Sequence, residues 1–161
     1  AYCGYLALSE GKNTEAVTYF EKALEVDGKD EMIFYNFAAA LYSLGERQKA
    51  DSLLKEGLEI NPEFEPILMY LGNIAQTEKK NDEAIMYFER LINADRKYFE
   101  AYVALSGLVG IKDLIRARKL LRTCLTINPG YKPAITALAD TYRSSDPEIA
   151  EKYDELAGSV K

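Results

Sequence analysis

Residues 15–27 read EAVTYFEKALEVD and residues 83–95 read EAIMYFERLINAD, so Ala16 answers Ala84, Phe20 answers Phe88 and Asp27 answers Asp95, each 68 residues on. Halfway between, residues 50–61 give ADSLLKEGLEIN, a looser version of the same phrase. A chain written on a period of 34 residues is constrained more by that period than by any local motif. Each period must be one supersecondary unit, and each unit must pack against the next.

The phrase has helical spacing. Its alanine recurs at Ala16, Ala50, Ala84, Ala117 and Ala150, in steps of 34, 34, 33 and 33. Four residues on stands a large side chain, Phe20, Leu54, Phe88 or Leu121, with Asp154 breaking the pattern. Three further on comes a small one, Ala23, Gly57, Cys124 or Ala157, with Leu91 the exception. Ala16, Val17, Phe20, Ala23 and Leu24 thus form one apolar stripe of an amphipathic helix. Upstream of each stripe lies another helix, marked by Cys3, Phe37, Leu71, Leu105 and Leu138, each followed by a small residue: Gly4, Ala38, Gly72, Ser106 and Ala139. Two antiparallel helices approach within about 8–10 Å only where the contact carries little bulk.

Polar turns separate the helices: EGKNT, LGERQ, EKKND, IKD and SSDP. Asn13 or Thr14, Asp82 and Asp146 are the expected N-caps, with Pro147 in a first turn that tolerates proline. The second helices end in VDG, INP, ADR and INP. One helix pair cannot bury its own apolar face, so pairs must stack.

With these features in view, LYSLGERQKADSLLKEGLEINP (41–62) resembles the tetratricopeptide repeat. The resemblance runs through the chain in five units, 1–30 (incomplete at its start), 31–64, 65–98, 99–131 and 132–158. It implies an all-α, right-handed α-solenoid of about five helix-turn-helix repeats, a single array over 1–161. Units four and five are one residue short between their helices, which predicts a tightened turn. Lys79, Asp113 and Asp146 stand where the family has its turn glycine, and Arg96 where it has its terminal proline, so the bend after unit three is expected to differ. The last helix, DPEIAEKYDELAG, reads as a cap, with Asp154 facing water. The first unit opens partway along its first helix and leaves Tyr2, Tyr5, Leu6 and Leu8 without a neighbour, so the true N-terminus is expected to be absent.

Composition removes several functions. Histidine is absent, which rules out Ser-His-Asp and Cys-His pairs and the commonest metal ligand. No GxxxxGK loop occurs, and no carboxylate pair sits in an apolar setting. The two cysteines, Cys3 and Cys124, suit neither a metal site nor a disulfide framework; both read as small buried hydrophobes at core positions. A net charge of −6 argues against nucleic-acid binding. No apolar run approaches the ~20 residues of a membrane span, so a soluble chain, cytoplasmic or periplasmic, is expected. No enzyme, cofactor or metal is expected.

The family resemblance implies non-catalytic binding of a protein or peptide segment in the concave groove lined by the first helices. The candidate lining is Tyr35, Asn36, Tyr42, Met69, Tyr70, Asn73 and Gln76. Family members that clamp a ligand's C-terminal carboxylate use lysines and arginines at these places. The first three units supply none, so an extended segment is the expected ligand, held by rings and amides. Against this stands plain packing of tyrosines between repeats. A secondary basic patch, Arg116, Arg118, Lys119 and Arg122, is expected to point outward from unit four's second helix. Two other functions stay open: self-association through the apolar N-terminal edge, and service as a regulatory arm of a larger enzyme.

Overall fold

A computed structural model describes residues 1–26 and 28–160 and contains, among them, ten helices and no strand. They are α1 (Tyr2–Ser9), α2 (Asn13–Val26), α3 (Glu31–Ser43), α4 (Arg47–Ile60) and α5 (Glu65–Thr77). There follow α6 (Asn81–Ala94), α7 (Phe99–Gly110), α8 (Leu114–Ile127), α9 (Lys132–Tyr142) and α10 (Pro147–Ser159). Two compact units are formed, Ala1–Leu71 and Gly72 onward, the division falling inside α5. In the first, α1 pairs with α2 and α3 with α4, while α2 also packs on α3. In the second, α7 pairs with α8 and α9 with α10, while α6 packs on α7, α8 on α9 and α7 on α9.

The core follows the period. Ala16, Ala50, Ala84, Ala117 and Ala150 are all buried, and Phe20, Leu54, Phe88 and Leu121 are wholly so. The contact between the helices of a pair is set by matched volumes. A Cβ added to Gly4 would lie 2.7–2.9 Å from the Phe20 ring, and one added to Gly72 would lie 2.6–3.0 Å from the Phe88 ring. Where the second helix carries leucine at this register, as at Leu54 and Leu121, the first helix carries Ala38 or Ser106. Glycine thus stands where the ring needs the room. Gly57 serves the same end between α4 and its neighbours, since a Cβ there would meet Ile67 at 2.5 Å and Phe34 at 3.1 Å.

Turns inside the repeats are of two kinds. Gly11 (φ 73°), Gly45 (φ 83°) and Lys79 (φ 60°) occupy the left-handed region at intervals of 34 residues. After each, a backbone N–H reaches back five residues: Lys12 to the Ala7 carbonyl (2.9 Å), Glu46 to Leu41 (2.9 Å) and Lys80 to Ala75 (2.8 Å). This is the Schellman closure, which glycine enters without strain and Lys79 does not. The shorter turns of units four and five omit the left-handed residue. There Asp113 N–H bonds the Val109 carbonyl (2.8 Å) and Asp146 N–H bonds the Tyr142 carbonyl (2.7 Å). The turn is tightened, as the missing residue requires, but Asp113 and Asp146 do not stand in for the glycine. Both are N-caps, accepting from the backbone N–H of Arg116 (2.9 Å) and Ile149 (3.2 Å).

Other cap expectations need correction. Asp82 lies inside the first turn of α6, behind Lys80 at the cap position, and its charge faces the positive helix end without capping it. Asn13 and Thr14 are the first two residues of α2 itself. A cap that the sequence pattern did not signal is Asp30, whose carboxylate accepts from Met32 N–H (2.9 Å).

Between repeats, Asn61, Asp95 and Asn128 each accept a backbone N–H two residues on, from Glu63 (3.2 Å), Lys97 (2.8 Å) and Gly130 (3.3 Å). Their side chains begin the turn after helix end. Arg96 in place of proline leaves that hydrogen bond intact, and the turn after unit three differs from its counterparts by one further backbone bond, from Phe99 N–H to the Lys97 carbonyl (2.9 Å). Asp27, their counterpart in the first repeat, is outside the described residues. At the last helix, Asp154 does not simply face water: Arg143 grips it through both terminal nitrogens (2.9 and 3.1 Å).

The volume match gives a measurable expectation. Gly4→Ala and Gly72→Ala should each destabilise by about 1–3 kcal/mol through overpacking. Gly107→Ala, in α7 with nothing within 4 Å of the added Cβ, should instead stabilise by about 0.5–1 kcal/mol. Urea titration followed by circular dichroism reads all three.

Candidate functional site

The face of α3 that carries Met32, Tyr35, Asn36, Ala39 and Tyr42 repeats at helical spacing, and α5 brings Tyr70 to it in the same compact unit, with the half-buried Met69 its neighbour in the chain. Tyr70 sits edge-on to two rings at once. Its centroid is 5.8 Å from Tyr35 with planes at 85°, and 5.8 Å from Tyr42 with planes at 83°. Perpendicular contacts of this kind set the positive edge of one ring against the negative face of another. Burial pushes the Tyr70 phenol above its ordinary pKa, and the nearby Tyr42 and Tyr35 add to the effect. The three rings are only half-buried, so they hold one another rigidly and still present a surface. Arg47 lies over the Tyr42 ring, 5.5 Å from its centroid, a cation that the first-helix pattern could not reveal because it belongs to α4.

Asn36 is partly engaged: its Nδ2 donates to the Met32 carbonyl at 2.8 Å. One amide proton and the carbonyl oxygen are left for a ligand. Asn73 and Gln76 are exposed on α5 and share its face with Met69 by helical spacing. The structure therefore brings Tyr35, Tyr42 and Tyr70 into direct contact and leaves Asn73 and Gln76 open.

Of the basic residues of α8, Arg116, Lys119 and Arg122 are exposed and Arg118 is half-buried. Arg116 forms an ion pair with Glu89. Arg118 is half-buried against α9: its guanidinium lies 3.8 Å from the Tyr142 ring centroid and donates to the Thr141 carbonyl (2.5 Å) and the Ser145 hydroxyl (2.9 Å). Arg122 donates to the Tyr142 hydroxyl at 2.6 Å. Lys119 is exposed. The partners Thr141, Tyr142 and Ser145 lie one repeat on, where the charge pattern of α8 alone gives no sign of them.

The edge formed by α1 and α2 is apolar and open. Tyr2 is 79% and Val26 88% exposed, and a cleft of about 510 Å³ there is lined by Tyr2, Cys3, Tyr19, Val26 and Ile33 together with the charged Lys22 and Asp30. Cys3 is thus exposed and no core residue, a correction to its reading from the period. It lies at the marker position of α1, where the helix before α2 has no packed neighbour on that side within this unit. Cys124 is fully buried, and burial, with the Glu100 charge second, raises its thiol pKa to about 11. Among the described residues no group of three acidic, Cys or His side chains could hold a metal ion, and no helix is long and apolar enough to cross a membrane.

Residues 7–74 and 66–98 each match the family described as tetratricopeptide repeat, together more than half of the chain. The chain belongs to the tetratricopeptide-repeat family. It is 38% identical over 88 residues to the cell division cycle protein 27 homolog A of Arabidopsis thaliana, covering 53% of this chain and 12% of that protein. MamA from Desulfovibrio magneticus RS-1 superposes with a TM-score of 0.79 at 19% identity, over 98% of this chain and 90% of that one. YrrB, described as a TPR protein with an unusual peptide-binding site, gives 0.77 at 18% identity, over 98% of this chain and 82% of that one. The structural likenesses show the fold class, an all-α repeat solenoid, and the family is one of protein–protein interaction scaffolds. The chain spans 12% to 38% of the length of the curated relatives it matches.

The two thiols offer a direct check on the site's packing. A maleimide should label Cys3 rapidly in the folded protein, while Cys124 should react only after denaturation. Mass spectrometry before and after adding urea counts the labels; equal reactivity in the native state would refute the burial of Cys124.

Proposed function

We propose that this chain is a non-catalytic scaffold that holds an extended segment of a partner protein along the inner face of its first helices, centred on Tyr35, Tyr42 and Tyr70. The observation that carries the proposal is the edge-to-face packing of the three rings on half-exposed positions. Rings fixed by one another offer a large contact area and lose little entropy when a ligand arrives. Asn36, with one amide proton and its oxygen still open, would pair with the ligand's backbone amides. Met69 would adapt to the side chains between them. No lysine or arginine stands among Tyr35, Asn36, Tyr42, Met69 and Tyr70, and the neighbouring Arg47 lies over the Tyr42 ring, so the ligand would be engaged mainly along its length.

The apolar edge of α1 and α2 supports a second reading, association of two copies through Tyr2 and Val26. Sedimentation equilibrium over rising concentration separates the two, because peptide capture on α3 and α5 requires no dimer.

The test is selection of displayed random peptides on the folded chain, followed by titration of the winners against variants. Tyr70→Ala should weaken binding by about thirtyfold or more, the size of an interface hot spot. Asn36→Ala, which leaves the three rings in place, should weaken it less and leave the helicity unchanged. Peptides that bind both variants as they bind the wild type would overturn the proposal.

A further inference from the structure

Helix α8, LIRARKLLRTCLTI, carries four basic residues and no acidic one in a chain whose net charge is −6. Arg116 is neutralised by Glu89. The other three are not: among the described residues Arg118 and Arg122 are held only by neutral acceptors, and Lys119 has no carboxylate partner. Tyr142 organises the pair of arginines. Its ring is stacked on Tyr153 (6.1 Å, 19°) and lies 3.8 Å from the Arg118 guanidinium, while its hydroxyl accepts from Arg122. Neutral anchors fix where the charges are without cancelling them. Nη1 of Arg118 and Nε and Nη1 of Arg122 remain as donors.

These groups line a cleft of about 400 Å³ between α8 and α9, bounded by Ile115, Arg118, Lys119, Arg122, Thr126 and Tyr142. Beside the charges, in the first turn of α8 and on the wall of the same cleft, stands the exposed aliphatic side chain of Ile115 (80%). An isolated surface isoleucine needs no explanation, but one that shares a cleft with a preorganised cationic cluster makes the surface mixed. Its complement is a segment that carries carboxylates together with apolar side chains.

We propose that the α8–α9 cleft is a second docking surface, separate from the tyrosine face, and that its occupant is an acidic segment of a protein partner. Carboxylates of the segment meet Lys119, Arg122 and the free edge of Arg118, and an apolar side chain next to them covers Ile115. A protein segment fits better than a nucleic acid because the cluster is small, the remainder of the chain is acidic, and Ile115 would be left uncovered by a phosphate backbone.

The probe is a short fluorescein-labelled peptide of glutamates and leucines, titrated by anisotropy, with the same peptide carrying lysines for glutamates as the control. The first should bind and the second should not. Affinity should fall as salt rises from about 0.05 to about 0.5 M, because exposed charges are screened over that range. Lys119→Glu and Ile115→Asp alter exposed side chains that anchor nothing, so the fold is kept; each should weaken binding about tenfold or more. Amide shifts in NMR spectra should concentrate on α8 and α9. Equal binding of the two peptides, unchanged binding by Lys119→Glu, or shifts centred on α3 and α5 would overturn the proposal. So would displacement of the peptide by inorganic phosphate alone, or tighter binding of an oligothymidylate, each of which would assign the cluster to a different anion.

Discussion

The contact between a glycine and a phenylalanine ring decides how close the helices of a repeat can come. At Gly4 and Phe20, and again at Gly72 and Phe88, no space exists for even one methyl group. Helix separation fixes where each pair ends, and so where its turn must close. The left-handed residues Gly11, Gly45 and Lys79 stand at that place, at equal intervals. When the chain is one residue shorter, the closure changes type and an aspartate becomes the cap of the next helix. Packing and turn chemistry are therefore two expressions of one distance.

The same distance leaves one side of each first helix free of its partner helix. The small residues that admit the partner helix occupy one side, and the opposite side is left to carry whatever the chain needs. On α3 and α5 that side holds tyrosines which brace one another. On α8, a second helix, the exposed side holds cations instead, fixed by a tyrosine of the following repeat. The two surfaces differ in chemistry: one offers aromatic area and amides, the other a cluster of positive charge beside an aliphatic side chain.

Much of this was legible in the sequence because the period samples each position several times. The helices, the buried alanines and the large–small alternation all follow from comparing copies. The tyrosine row could be read for the same reason, since helical spacing alone puts Tyr35, Asn36 and Tyr42 on one side. What one copy cannot show is what lies across the next contact. Cys3 shares a column with Phe37 and Leu71, yet it is exposed, because burial there depends on a neighbouring helix and not on the column. Arg118 and Arg122 read as a solvated face because their anchors, Thr141, Tyr142 and Ser145, sit some twenty residues on. Asp82 reads as a cap by type, but the backbone places Lys80 at the cap position, and the helix starts without a side-chain bond.

The matched volumes make the central claim, and a double-mutant cycle on Gly72→Ala and Phe88→Leu tests it most directly. The double variant recreates the pairing that Ala38 and Leu54 already use in the preceding repeat. Phe88→Leu should therefore cost much less stability in the Gly72→Ala background than in the wild type, with a favourable coupling of about 1 kcal/mol or more. Effects that add to within about 0.3 kcal/mol would mean that ring and glycine do not sense one another, and would contradict the account.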